Sequence, residues 1–489
     1  MQCLADATGE DTMPKRVHMG KARCAADLSD GSERALYVNQ DYILRKLGRP
    51  HRAVNLMFCY YPYDEGWPTR ISDLPGYSTK SGSWDYPYDN YLPFNGEEPF
   101  RQMKDVRRHG QDVIATITCD PHITDDLIEG LAMQMRPFGR AMLRLNHEAD
   151  GNWFSFNKRA SYEEVGAFFE RFCGIFHRVA PNIRVILCLG AMENEECTEL
   201  NREYAFRGAV KAADIWSIDK YPSLNYGWPR EIADVDNHAH YCYNLPWLLR
   251  VQKKAFDRFC FLNGGEKKPL QLCEHNDDGD VTGGVRQAER LKEFYGMVQN
   301  GIDGNGEGED WLTGITLYQF RDDGRLGLEV TDPNNPAVGI EQPELKVYRD
   351  LIHTPYFMPQ MTPGDEVTLP AVLRWGGSED ADGIELPLSL EQQPTFCEML
   401  FPGELTALNL MLEINGEWFY KAPGTDTVDL MPYFWAHPAE KGEYRVRLFA
   451  PPAEGVNPGA DTAEGSMNCF TSLPALPDFR VRYAPILDL

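Results

Sequence analysis

From about residue 33 to residue 353, short apolar β-branched runs alternate with longer segments of helical period, and no other feature of the chain limits its fold as strongly. A strand that must pass through a helix before meeting the next strand pairs parallel to it. Sheets built this way are covered on both faces, so their strands read as continuous apolar runs. Seven such runs stand out: AVNLMFCYY (53–61), DVIATITCD (112–120), RAMLRLNHE (140–148), IRVILCLG (183–190), ADIWSID (213–219), PLQLCE (269–274) and LTGITLYQF (312–320). An eighth, either RVHMGKARC (16–24) or RALYVNQ (34–40), would close a (β/α)8 barrel, and the sequence leaves the choice open.

Helical segments fall where crossovers are required. PFRQMKDVRRHG precedes the third strand and DDLIEGLAMQMRPF the fourth. SYEEVGAFFERFCGIFHRVAP opens with Ser161 three residues before Glu164, the spacing of a capping box. VRQAERLKEFYGMVQNG and ELKVYRDLI supply the last two. The insert from Tyr61 to Pro99, rich in Tyr, Trp, Pro, Gly and Asp, follows the second strand and so belongs to the face where such barrels build their sites.

Past about Pro363 the helical period stops and short alternating runs separated by turn residues take over. LNLMLEINGEWFYKA, with Asn415-Gly416 between two alternating stretches, is a hairpin signal; YRVRLFAP and FRVRYAPIL read as further strands. The expected organisation is an α/β chain: an N-terminal extension (1–30), a (β/α)8 barrel (31–355) and a β-sandwich accessory domain (363–489), the last favoured as a structural brace over a sugar binder.

Composition narrows the function classes. The 48 Lys plus Arg against 74 Asp plus Glu give a net charge of −26 spread along the chain. Nucleic acid is therefore not an expected partner, because phosphate binding needs a concentrated positive field. No stretch approaches the roughly 20 apolar residues of a membrane span, and the N-terminus lacks an apolar core of signal-peptide length. Twelve scattered cysteines show neither a C-x-x-C pair nor zinc spacing, so neither a structural zinc nor a redox pair is indicated; no cofactor and no metal is expected. Several, such as Cys59, Cys119, Cys188 and Cys273, sit in apolar runs. A reducing cytoplasm fits best, although a chain trimmed of its leader would look the same.

Two strand ends carry acids beside polar and aromatic neighbours: RLNHEADGNWF ends the fourth with Glu148, and PLQLCEHNDDGD ends the seventh with Glu274. Carboxylates at the C-terminal strand ends of a barrel face ligand. Glycoside hydrolysis with retention needs such a pair, about 5 to 5.5 Å apart, one protonating the leaving oxygen and the other attacking the anomeric carbon. Apolar and aromatic neighbours of Glu148 (Leu145, Trp153, Phe154) would favour its protonated form.

At these residues the chain resembles the retaining β-glycosidases with acid/base at strand four and nucleophile at strand seven, most of all glycoside hydrolase family 26, over residues 50 to 325. Arg144, His147, Glu148, Gly151 and Trp153 are similar to that family's strand-four signature. ADIWSIDKY looks like its strand-six segment, which puts Asp219 and Tyr221 at the site rim with Tyr221 bonded to the nucleophile, and KPLQLCE marks Glu274. The chain departs from the pattern at Tyr318, Gln319 and Phe320, where a Trp platform is common, and at Asp150. The resemblance implies a retaining glycosidase acting on an oligosaccharide or polysaccharide, with β-mannan or manno-oligosaccharide as the substrate expected. Glu148 and Glu274 are the expected catalytic pair. Arg144, His147, Trp153, Asp219, Tyr221, Trp228, Tyr60, Tyr318 and Gln319 are the expected substrate contacts, and Tyr61 is a further candidate stacking ring. Two readings compete: a metal-dependent barrel hydrolase using His147, Glu148, Asp150, Glu274, His275 and Asp277, and a non-catalytic carbohydrate-binding protein. Oligomeric state is not legible in the sequence.

Overall fold

The computed structural model describes residues 13–31, 36–62, 100–151, 154–189, 204–225, 240–455 and 468–484. Eight parallel strands close into a barrel: β1 (Ala25–Ser29), β2 (Ala53–Tyr60), β3 (Asp112–Cys119), β4 (Ala141–Leu145), β5 (Ile183–Leu189), β6 (Ile215–Ile218), β7 (Leu270–His275) and β8 (Leu312–Leu317). Each follows its neighbour round the ring, and β8 pairs with β1. Seven of the eight are the expected runs. The first is neither candidate: 25–29 forms β1, the strand Lys15–Gly20 belongs to another sheet, and 36–39 is irregular before the helix Gln40–Leu47.

Alternation along the strands sorts the side chains. Val54, Leu56 and Phe58, like Val113, Ala115 and Ile117, join the large core between barrel and helices, as do Val185, Leu187 and Leu189. The interior is layered instead. At its base Arg52 binds Asp27 and reaches Gln271 at 2.6 Å. Ala53, Ile114, Met142, Ile186 and Cys273 fill a middle apolar layer. Above it runs a polar chain in which Asn55 donates to Ser29 at 3.3 Å, Thr116 to Asn55 at 2.6 Å and Arg144 to Thr116 at 2.8 Å. The barrel is thus a packed core in which an apolar layer separates a polar base from a second polar layer under the C-terminal face.

The helices fall largely where the period placed them: Phe100–Arg108, Asp125–Met135, Tyr162–Val179, Gly284–Asn300 and Pro343–Ile352. Ser161 and Glu164 close the capping box reciprocally. The helix Leu245–Leu262, whose buried face includes Leu248, Phe256 and Phe259, was not among the expected segments.

The C-terminal region is a two-sheet sandwich. Its larger sheet contains Ala371–Gly377, Asp380–Leu390, Leu410–Ile414, Glu417–Lys421, Gly442–Phe449 and Cys469–Leu473; a smaller one pairs Pro394–Leu400 with Thr427–Asp429 and Asp478–Tyr483. The hairpin turn at Asn415 and Gly416 takes φ of 47° and 94°, the left-handed pair that Asn-Gly favours. The expected N-terminal extension is no appendage: Lys15–Gly20 lies in the larger sheet between Gln360–Glu366 and Asp380–Leu390. That sheet packs on the end of the barrel away from the acids. Val17, Met19, Trp375, Met411, Trp418 and Phe449 cluster with Leu44, and Ser378 donates to the carbonyl of Arg52, just before β2, at 2.6 Å.

Candidate active site

β4 ends at Leu145, and the chain turns sharply there. Asn146 has φ 44° and Glu148 φ 49°. Asn tolerates the left-handed region, and its side chain clamps β3 by accepting from the Cys119 amide at 2.6 Å and donating to the Cys119 carbonyl at 3.1 Å. Glu148 has no such excuse. A non-glycine residue held at positive φ stores strain of about 1 to 3 kcal/mol, which the bonds from Ala149 N to the Cys188 carbonyl and from Gly151 N to the Glu148 carbonyl sustain. The result is a half-buried Glu148 at the mouth.

Glu274 reaches the interior by a different device. Gln271 and Cys273 face inward, so strict alternation would send 274 outward and 275 inward. The pairing of β7 with β8 instead slips between Leu272 and His275. Glu274 therefore meets Arg144, and His275 stacks on Phe294 of the following helix with ring centres 4.0 Å apart.

The acids share one cation. Arg144, fully buried, donates to Glu274 Oε1 at 2.6 Å, to Asp219 Oδ2 at 2.7 Å and to the Thr116 hydroxyl. Tyr221 donates to Glu274 Oε2 at 2.5 Å, and Ser217 donates to Asp219 Oδ1 at 3.3 Å. One oxygen from each of Glu148, Asp219 and Glu274 lies within 4.8 Å of the other two.

Electrostatics follow from this crowding. Burial pulls Arg144 down, but Glu274 and Asp219 outweigh it and hold the guanidinium well above its ordinary value. Burial raises Asp219, Arg144 opposes, and the Glu274 charge adds to the rise, leaving it at about 7. Burial and then the charge of Glu274 hold the Tyr221 phenol well above 10, so it remains a donor. Burial and Arg144 together push His147 well below its usual 6.5, so at neutral pH it is an uncharged ring, packed 4.4 Å from Phe154 and 3.8 Å from Glu274.

Of the expected site residues, Glu148, Glu274, Arg144, His147, Asp219 and Tyr221 converge. Tyr318 joins them edge-on to Tyr221 at 5.7 Å. Asp219 is not on the rim: it lies beneath, 2% exposed, bonded to protein groups. Gln319 is fully buried and donates to Asp322 at 2.9 Å, so it stands behind Tyr318. Tyr60 turns to the helix side with Val54 and Phe58, and Tyr61 is covered by Arg159. Trp153, Trp228 and most of the 61–99 insert lie outside the described residues. The six-residue metal cluster does not gather, because His275 faces Phe294 while Asp277 is held by Arg290 at 2.8 Å and Ser223 at 2.7 Å. Sequence reasoning missed Asn55, Thr116 and Ser217, although each is a polar exception at an inward position of an otherwise apolar strand.

No family model and no curated protein sequence matches the chain. Solved structures to which it is similar include a family 26 β-mannanase from Bacteroides ovatus, 11% identical over 69% of this chain and 90% of the other, with a TM-score of 0.39. A family 39 glycoside hydrolase from Bacteroides cellulosilyticus is 10% identical over 90% and 95%, at 0.42. An α-L-arabinofuranosidase from Thermotoga maritima is 10% identical over 88% and 97%, also at 0.42.

Proposed function

We propose that the chain is a retaining glycoside hydrolase, with Glu148 as acid/base and Glu274 as nucleophile, acting on a β-linked glycan such as a β-mannan or manno-oligosaccharide. The observation that carries this reading is the reach between the two carboxylates. Oxygens within 4.8 Å let both carboxylates reach one glycosidic bond, in keeping with the separation of about 5 to 5.5 Å between the carboxyl groups of retaining pairs.

In the first step a Glu274 oxygen bonds to the anomeric carbon as the glycosidic bond breaks, and the Glu148 proton passes to the leaving oxygen. In the second, Glu148 takes a proton from water, the water oxygen bonds to the same carbon, and Glu274 departs as carboxylate. Arg144 and the Tyr221 hydroxyl each donate to one oxygen of Glu274 and so fix its orientation.

A second reading has one observation behind it: Glu148, Asp219 and Glu274 could together hold a cation. Arg144 already supplies positive charge to two of the three, which weakens it. A panel of β-linked manno-, gluco- and xylo-oligosaccharides, assayed with and without prolonged EDTA treatment, separates the readings. The proposal expects new reducing ends in both arms, most from the manno series. Activity lost to EDTA and restored by a divalent ion would favour the metal reading.

A further inference from the structure

The chemistry proposed above creates a charge problem that the site must solve. Arg144 is fully buried, and its two carboxylate partners are Glu274 and Asp219. When Glu274 becomes a glycosyl ester its charge disappears. A buried guanidinium left without an anion would make that intermediate costly. The negative charge that appears on Glu148 in the same step belongs to a group that accepts the water proton in the next, so it is transient.

We propose that Asp219 is a positioning residue that keeps Arg144 compensated and in place while Glu274 passes through its neutral ester. The inference rests on the glycosidase reading and deepens it. Asp219 is bonded to protein, not aimed at a ligand: Oδ2 receives Arg144, Oδ1 receives Ser217, and the Cys188 thiol also contributes a hydrogen bond. The groups facing it are Arg144, Glu274, Ser217 and Cys188, with Glu148 inside the same 4.8 Å cluster. In the free enzyme two carboxylates compete for one cation, which destabilises the ionised pair and keeps Glu274 reactive. In the ester the competition ends, and Asp219 takes Arg144 alone. The burial and crowding that hold Asp219 at about 7 are consistent with a group that shares its charge until Glu274 gives up its own.

The variant Asp219→Asn preserves shape and removes the charge. Arg144 then answers to Glu274 alone, so formation of the ester slows while its hydrolysis does not. With phenyl β-mannobioside, whose poor leaving group makes ester formation limiting, kcat/KM falls about 10- to 100-fold. With the 2,4-dinitrophenyl glycoside, where hydrolysis of the ester limits, kcat changes far less. The acidic limb of the pH profile moves to lower pH. Equal losses on both substrates with an unmoved limb would overturn the proposal, since that is what a merely structural Asp219 would give.

Should Asp219→Asn not fold, the wild-type enzyme provides the test by carboxyl 13C NMR before and after trapping with 2,4-dinitrophenyl 2-deoxy-2-fluoro-β-mannobioside. The Asp219 carboxyl, raised by burial and by the Glu274 charge, should titrate at lower pH once Glu274 is esterified; an Asp219 titration unmoved by trapping would overturn the proposal. Failure of the probe to add mass at Glu274 in the wild-type protein would strike instead at the glycosidase reading with this sugar.

Discussion

Arg144 is fully buried, and protein groups answer its charge: Thr116 on one nitrogen, Asp219 and Glu274 on the others. Breaking such a set by deleting one anion is more damaging than its net contribution suggests, because the cation stays behind. Glu274→Ala therefore removes the proposed nucleophile and also unbalances the site. Turnover should fall to background, and added azide should restore it by occupying the space beside Arg144 and attacking the anomeric carbon, giving an α-glycosyl azide identifiable by NMR. A variant that azide leaves inactive, or whose product has the β configuration, would contradict the assigned role. His147, held neutral by burial and Arg144, is not the source of a pH limb near neutrality. At this scale the sequence was informative about which residues matter and silent about their geometry. The HEADGNW context pointed to Glu148, but nothing in it announces a positive φ, and Asp219 read as a rim residue because a strand end does not disclose how deep its side chain sits.

Among the elements, β7 shows how a register defect creates function. Strict alternation would turn Glu274 toward the helices and His275 into the barrel; the slip after Leu272 reverses them, and Phe294 receives the His275 ring. Phe294→Ala should cost about 3 to 5 kcal/mol in chemical denaturation, from lost burial and the cavity left behind. It should also lower kcat by loosening the strand end that presents Glu274. Unchanged kcat in the folded variant would show that the bulge does not depend on this contact. β1 explains the one strand the sequence misassigned. Its inward residues are Asp27 and Ser29, which anchor Arg52 and Asn55, so five residues reading AADLS lack the apolar signature that marks the other seven. Lys15–Gly20 does alternate, which made it a strand candidate, but the partners it finds lie in the sandwich sheet, 340 to 370 residues along the chain, a pairing that no local pattern reveals.

For the whole molecule, the sandwich packs on the barrel at the end opposite the acids. Trp375, 1% exposed, lies against Gly110 just before β3, where any side chain on that glycine would crowd the indole and Met411. Asn409 donates to the Arg108 carbonyl at 2.8 Å, and the Trp418 amide to that of Gly48 at 2.7 Å. Trp375→Ala should lower stability by about 3 to 5 kcal/mol while leaving kcat of the folded fraction unchanged. A large fall in kcat without loss of stability would mean that the sandwich communicates with the mouth. That a sandwich follows the barrel was visible in the switch from helical to alternating period near Pro363. That Lys15–Gly20, the first strand among the described residues, belongs to the sandwich sheet was not, because pairing so distant in sequence leaves no mark in either segment.

The proposed roles of both acids require Glu274 to attack the sugar directly, with no water between. The anomeric configuration of the first product, followed by proton NMR from the opening seconds of hydrolysis of a β-linked manno-oligosaccharide, tests this with the unaltered protein. The β-anomer should appear first and mutarotate slowly toward equilibrium. An α-anomer at the outset would mean that water, not Glu274, reaches the anomeric carbon, and would contradict the roles given to both acids.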